Sequence, residues 1–227
     1  MSAEIRVSED PAGEVAERLT EVAMAGGDIV LTGGSSPKRA YELAAERDAD
    51  WSAATVWFSD ERCVGPTHPD SNFAMAERAL LMQLSAGPRV VRMEGELGPD
   101  AGAGTYEAEV RARMGADPRW NLLLLGMGPD GHVASLFPGK PEVEERSRMV
   151  VGVPLAGMEP QIPRISLTLP AINSAREAIL LITGENKAAT VARVFGPGRD
   201  GSLPAAMVDL RFGTLTVLLD EAAASQL

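Results

Sequence analysis

The amino-acid sequence predicts an α/β protein, a single domain spanning 1–227 with a Rossmann-like, mostly parallel sheet and helices on both faces. Three observations lead there. Short β-like runs alternate with helix-like stretches along the chain, which favours right-handed βαβ crossovers. Several runs, such as Leu122–Leu125, are continuous in Val, Ile and Leu instead of alternating, the pattern of strands buried on both faces. The Gly- and Pro-rich stretches 85–88, 95–104 and 196–204 read as loops, and none has the length or composition shift of an interdomain linker.

In chain order, Asp10 and Pro11 form a helix start. Val15, Leu19 and Val22 then recur at i, i+4 and i+7 as one buried face. The first strand follows at 28–32. Ser36 suits an N-cap and Pro37 the first position of a second helix. Strands at 55–58 and 90–93 precede a helix whose face is Tyr106, Val110 and Met114. Strands at 121–125, 149–153, 165–169 and 178–182 lead to a third stripe, Ala188, Val191 and Phe195, and the last strand is 215–219.

Composition narrows the function. The 227 residues hold 21 Lys and Arg against 32 Asp and Glu, a formal charge of −11. That balance argues against nucleic acid as a partner and against a polybasic attachment to acidic lipid. A bound anion would need a few placed groups working against the overall field. One cysteine, Cys63, allows no intrachain disulfide and no thiol cluster, and the two histidines, His68 and His132, limit zinc chemistry likewise. No metal and no cofactor is expected. The first seven residues contain no apolar signal region, and no apolar run approaches the ~20 residues of a membrane span. A soluble cytoplasmic protein, monomeric or weakly self-associating, is the expectation.

Ligands of open α/β sheets sit beyond the carboxyl ends of strands, and four loops there are unusual. After 28–32 comes Thr32-Gly33-Gly34-Ser35-Ser36-Pro37-Lys38-Arg39. Its glycines permit close backbone approach, and a helix start favours an anion. Lys38 and Arg39 lie in the first turn, where the helix dipole disfavours cations unless an anion is bound; an ordinary capped turn with solvated cations is the plainer reading. Ser59-Asp60-Glu61-Arg62 follows 55–58 and reads either as a charged site or as a solvated turn. Gly126-Met127-Gly128-Pro129-Asp130-Gly131-His132-Val133-Ala134-Ser135 follows 121–125. It contains G-x-G-x-x-G, but mid-chain, with Phe137-Pro138-Gly139 breaking the next helix and no acid ending the next strand, so a dinucleotide site is rejected. What remains is a glycine-rich turn presenting Asp130 and His132 at a helix start. Thr183-Gly184-Glu185-Asn186-Lys187 follows 178–182 and sets Lys187 in another cationic first turn. Arg164, before 165–169, joins these as an anion partner or stays a surface residue.

Two chemistries are absent. Gly33-Gly34-Ser35-Ser36-Pro37 lacks the final glycine of a G-x-S-x-G nucleophile elbow, and no P-loop pattern occurs. His68 reads as a turn residue. Cys63 has no histidine adjacent in sequence and carries little weight as a nucleophile.

Taken together, these loops resemble the 6-phosphogluconolactonase family. The likeness rests on Leu31-Thr32-Gly33-Gly34-Ser35-Ser36-Pro37, Phe58-Ser59-Asp60-Glu61-Arg62-Cys63-Val64, Asp70-Ser71-Asn72-Phe73, the run from Gly126 to Pro138, Arg164-Ile165-Ser166-Leu167-Thr168 and the Gly184 to Lys187 turn, in family order. The resemblance implies the sugar-phosphate isomerase/lactonase fold and hydrolysis of 6-phosphoglucono-δ-lactone in the pentose phosphate pathway, a phosphorylated sugar lactone being the small-molecule partner. It implies His132 as general base, oriented by Asp130 or Asp60. Arg62 is then the partner of the developing oxyanion or of a sugar hydroxyl, with backbone N–H groups of the Gly126 to Gly131 loop assisting. Gly34, Ser35, Ser36, Arg164 and Lys187, with Arg39, clamp the phosphate. The amino-sugar-phosphate deaminases that share this superfold carry a glutamate a few residues past the matching histidine, where this chain has Phe137; a deaminase or isomerase, or a non-catalytic sugar-phosphate sensor, are the alternatives.

Overall fold

The computed structural model describes residues 3–115 and 117–227; Met1 and Ser2, which open the N-terminal stretch read above, and Ala116 lie outside them. The main sheet has seven strands, all pairs parallel: β1 (Glu4–Val7), β2 (Asp28–Leu31), β3 (Thr55–Phe58), β5 (Arg89–Val90), β6 (Leu122–Leu125), β9 (Glu177–Ile182) and β10 (Thr214–Leu219). Their spatial order is β1-β10-β9-β6-β2-β3-β5. A separate antiparallel sheet joins β4 (Asp60–Arg62), β8 (Arg164–Leu167) and β7 (Val150–Val153) in that order.

The order fixes the layers. From β1 the chain steps through α1 (Pro11–Met24) to β2, through α2 (Ser35–Ala45) to β3, and through α3 (Asn72–Ala76) to β5, always toward the β5 edge. It then reverses. From β5 it crosses by α4 (Pro99–Met114) to β6, passes the small sheet and α5 (Leu169–Ile172) to β9, and crosses by α6 (Ala188–Phe195) to β10 before α7 (Glu221–Ala224). Right-handed crossovers in opposite directions put α1 and α2 on one face and α4 and α6 on the other. The reversal sits between β2 and β6, the point where α/β sheets bind ligands.

Local rules explain the elements. Asp10 caps α1 by accepting the Gly13 N–H at 3.0 Å, with Pro11 in the first turn. Val15, Leu19 and Val22 are buried as expected. The β6 tetrad Leu122–Leu125 is fully buried, the burial its continuous leucines require. Trp57 packs edge-on to Tyr106 and Trp120 at centroid distances of 6.0 and 5.5 Å, tying β3 to α4 and to the segment before β6.

Two buried tyrosines fix the strand ends that carry the site. Tyr41 of α2 accepts the Thr32 N–H and donates to the Thr32 carbonyl, at 2.9 and 2.8 Å. Tyr106 of α4 does the same for Phe58, at 2.8 and 3.1 Å. Unpaired, each of those buried peptide groups would cost ~1–3 kcal/mol.

Several sequence expectations are corrected. Runs 149–153 and 165–169 form β7 and β8 of the small antiparallel sheet, not strands of the parallel one. Of run 90–93 only Val90 lies in β5, with the Val91 N–H donating to the Val56 carbonyl of β3 at 2.9 Å. Strands β1 and β4 were not anticipated: β1 is a short exposed edge with two apolar residues, and β4 is a charged tripeptide. Most of the 95–104 stretch read as a loop is the start of α4, whose first turns hide their periodicity in Gly and Ala while burying Gly102 and Ala103.

Candidate active site

At the switch point, the loops after β2, β3, β6 and β9 border a cleft of about 220 Å³. Gly34, Ser35, Ser36, Asp60, Arg62, His132, Arg164 and Lys187 all line it.

The β2 loop enters α2 through Gly34, whose φ of +113° lies where side-chain-bearing residues are strained. Gly34, not Ser36, is the N-cap, and Ser35 and Ser36 form the first helical turn. The hydroxyl of Ser36 instead bonds Thr183 across the cleft at 2.5 Å, linking the β2 and β9 loops. First-turn N–H groups lack partners within a helix, so this end is open to an anion. Arg39 lies outside the cleft: its exposed side chain and that of Lys38 both pair with Glu42 of the same helix. The conflict between cations and the dipole is thus relieved internally, by an acid one turn on.

The Gly126 to Ser135 loop contains no helix. It closes on itself instead. The Gly128 N–H donates to the His132 carbonyl at 2.9 Å and the Gly131 N–H to the Gly128 carbonyl at 3.1 Å, with a Val133–Leu136 bridge following. Those two N–H groups are consumed and face no ligand, which narrows the expected oxyanion contribution of this loop. The turn presses His132 Nδ1 to 2.6 Å from Asp130 Oδ1, and the same oxygen accepts the His132 backbone N–H at 3.2 Å. Burial pushes the Asp130 carboxyl upward, but hydrogen bonding and the charge of His132 outweigh it and hold the group below the ordinary carboxylate range. The imidazole leans on Phe137 at a centroid distance of 4.7 Å. A methyl on Gly128 would lie 2.0 Å from His132 Nδ1, so glycine here is what allows the pair to form.

Asp60 does not touch His132. Its carboxylate accepts the hydroxyls of Ser59 and Ser135, at 2.9 and 2.7 Å. Far from a solvated turn, Asp60 and Glu61 are 5% and 2% exposed. Glu61 accepts the N–H groups of Arg62, Asn72 and Phe73 and the Ser71 hydroxyl, anchoring the start of α3 to β4. That anchor places Asn72, whose Oδ1 receives Arg62 Nη1 at 2.7 Å while its amide donates to the Asp60 carbonyl at 2.9 Å.

Two cations face this cleft under unfavourable solvation. Arg164 is buried, not a surface residue. Its Nε and Nη2 donate to the carbonyls of Ile162 and Pro160, both at 3.1 Å, and its guanidinium lies 5.9 Å from the Phe137 ring centroid. Lys187 ends a short 3₁₀ turn and stands at the N-cap of α6. Burial lowers the pKa of both, opposed by Asp60 for Arg164 and by Asp130 for Lys187. Removing water from a cation without giving it a counter-charge is costly, and a bound anion would supply one.

The chain thus brings together nine of the ten residues expected from sequence, Asp130 standing behind His132, and leaves out Arg39. Asn72, Thr183 and Ser135 also belong here. The Asp70-Ser71-Asn72-Phe73 and Gly126 to Pro138 matches carry a signal for Asn72 and Ser135, and Thr183 heads the β9 loop, but hydroxyls paired across 147 and 75 residues of sequence leave no signal of the pairing. Cys63 is half-buried, and burial followed by the Glu61 charge pushes its thiol up to about 11. His68 is exposed and accepts the Asp70 N–H in a turn. Among the described residues no group of three or more His, Cys, Asp or Glu is placed to hold a metal ion, and no helix is long and apolar enough to cross a membrane.

Comparison with known proteins gives concordant results. A family model described as glucosamine-6-phosphate isomerases/6-phosphogluconolactonase matches residues 4–217. The chain is 44% identical over 214 residues to a 6-phosphogluconolactonase of Streptomyces coelicolor, covering 88% of this chain and 81% of that protein. A solved 6-phosphogluconolactonase from Trypanosoma cruzi superposes with a TM-score of 0.89 at 27% identity, over 100% of this chain and 98% of the other. A glucosamine-6-phosphate deaminase superposes with a TM-score of 0.82 at 20% identity, over 100% of both chains, a likeness of fold alone.

Proposed function

The chain belongs to the glucosamine-6-phosphate isomerase and 6-phosphogluconolactonase family, and from that premise we infer that it is a lactonase. It hydrolyses 6-phospho-D-glucono-1,5-lactone to 6-phospho-D-gluconate, a step of the oxidative pentose phosphate pathway. The observation that carries this reading within the family is the His132–Asp130 pair at the cleft, with Phe137 packed against His132 where the resemblance puts an acid in the deaminases. Phe137 is buried against Val153 and Ala156, so no carboxylate assists sugar ring-opening from that position.

The geometry supports a general-base route. With Nδ1 committed to Asp130, Nε2 is the nitrogen left to take a proton from water as its oxygen attacks the lactone C1. Asp130, held ionised, fixes the tautomer and steadies the imidazolium that forms. The Arg62 guanidinium, positioned by Asn72 and the Asp70 carbonyl, balances negative charge growing on the carbonyl oxygen. As the C1–ring oxygen bond breaks, the imidazolium returns its proton to the leaving oxygen, and the new carboxylic acid loses its own to solvent. Asp60 acts on the other side of the cleft, as the fixed counter-charge to Arg164 and the acceptor that holds Ser135.

The phosphate fits between the α2 start and Lys187, with Arg164 beside them. Binding energy from this remote group orients the carbonyl against water. The test is proton release on adding fresh 6-phosphogluconolactone, corrected for spontaneous hydrolysis, beside an assay for ammonia from glucosamine 6-phosphate. Rapid proton release without ammonia is expected; ammonia release without lactone hydrolysis would move the protein to the deaminases.

A further inference from the structure

At the other end of the main sheet, where its strands begin, lies a second cleft of about 320 Å³, within the range of small-molecule sites (roughly 300–1,000 Å³). Pro118 and Arg119 precede β6, Ser174 precedes β9, and Arg211 and Phe212 precede β10. Five guanidiniums line it: Arg111, Arg119, Arg146, Arg148 and Arg211. In a chain of formal charge −11 that is a local reversal of sign.

The neighbouring acids stand mostly outside the cleft wall. Glu107 is shared, taking Arg148 at 3.0 Å and Arg111 at 3.2 Å, so two cations converge on one largely buried carboxylate. Asp117 pairs with Arg119 and Glu144 with Arg146. With Asp209, two residues from Arg211, and Glu145, which accepts the Ser147 and Arg148 N–H groups at 2.6 and 3.0 Å, five carboxylates stand near the five guanidiniums, but of these acids Asp117 alone lines the cleft. Beside them Phe212 is 73% exposed, a large apolar ring left in water, and the Arg119 guanidinium sits 5.0 Å from its centroid.

We infer that this arginine-lined cleft is a second binding site, distinct from the lactonase cleft, for a nucleotide: phosphates on Arg146, Arg148 and Arg211, and the base stacked against Phe212. Guanidiniums recognise phosphate through paired, planar hydrogen bonds. An open aromatic face beside them adds recognition of a planar base, which a plain polyanion lacks. Substrate and nucleotide would occupy opposite ends of the sheet, so neither excludes the other by contact.

Calorimetric titration at low ionic strength tests this, with ATP as the probe and tripolyphosphate as the control. Saturable ATP binding is expected. Phe212→Ala should weaken it about tenfold, the effect of a lost base stack, while leaving tripolyphosphate affinity unchanged. The Arg146→Gln/Arg211→Gln double variant should weaken both ligands, with lactonase activity unaltered as evidence that the variants fold. Lys187→Ala, in the other cleft, should leave ATP affinity as it was. Three results overturn the proposal: no saturable ATP binding, ATP binding sensitive to Lys187→Ala but not to the arginine changes, or a silent Phe212→Ala with ATP and tripolyphosphate bound alike.

Discussion

Replacing Gly128 with alanine would put a methyl carbon 2.0 Å from His132 Nδ1, 2.1 Å from Cε1 and 2.6 Å from Asp130 Oδ1. Ordinary contact begins at 3.4 Å, so the imidazole must retreat by about 1.4 Å or the loop must open. Either movement breaks the 2.6 Å bond between His132 and Asp130. Displacing a catalytic group by an ångström costs on the order of 10²-fold in rate, and losing a hydrogen bond to a charged group costs about 1.5–3 kcal/mol. The two estimates agree on a kcat reduced about a hundredfold. KM should change far less, because the Ser36 and Lys187 loops lie on other strands. Initial rates of proton release, with thermal unfolding to confirm a folded variant, provide the assay. A folded Gly128→Ala enzyme with kcat within about twofold of the parent would refute the reasoning, since the dyad would then be dispensable.

Further expectations follow from the same geometry. Lys187→Ala should erode the preference for phosphorylated over unphosphorylated gluconolactone by about tenfold or more; an unchanged ratio of kcat/KM values would put the phosphate elsewhere. Glu61→Gln turns an amide toward donors that now meet a carboxylate and should cost ~1–3 kcal/mol in urea unfolding, with equal midpoints contradicting the anchor. Asp130 is held below the ordinary carboxylate range by His132 outweighing burial. Its contribution to stability is therefore complete above the unfolded-chain pKa of about 3.9 and is lost as pH falls through the lowered folded value. Melting temperatures of the parent and Asp130→Asn should differ near neutrality and converge in acid; a gap that persists in acid would deny the linkage.

The parts of the molecule legible in the sequence share a physical basis. Continuous leucines in β6, the capped stripe of α1 and the glycine loops at strand ends are local patterns, and each folds as its pattern dictates. The failures come from distance. Nothing local tells β7 and β8 that they will pair antiparallel with each other, because both are as apolar as the strands of the main sheet. β4 is a strand made of Asp60, Glu61 and Arg62, and only the donors of the α3 start make burying Glu61 tolerable. The same limit applies in the cleft. Whether Asp60 or Asp130 faces His132 was open until the closed turn put Asp130 on Nδ1 and two serine hydroxyls on Asp60. Arg39 lies outside the cleft lining for a local reason, Glu42 lying three residues on along the same helix.

The acidity of the chain acquires a specific meaning from this arrangement. A field of −11 repels both the substrate and the more negative product. On the proposed reading their retention would rest on Lys187, Arg164 and the start of α2, and the surrounding field would favour departure of the product once the ring has opened.

In the proposed mechanism His132 removes the proton from water. This step is tested most directly by single-turnover and steady-state kinetics of His132→Ala, with the affinity for 6-phosphogluconate measured on the same preparation. His132→Ala should lower kcat by ~10²–10⁴-fold and leave product affinity within about twofold of the parent, because Lys187 and the start of α2 lie on other loops. A kcat near that of the parent, with product affinity intact, would contradict that mechanism and remove His132 as the base.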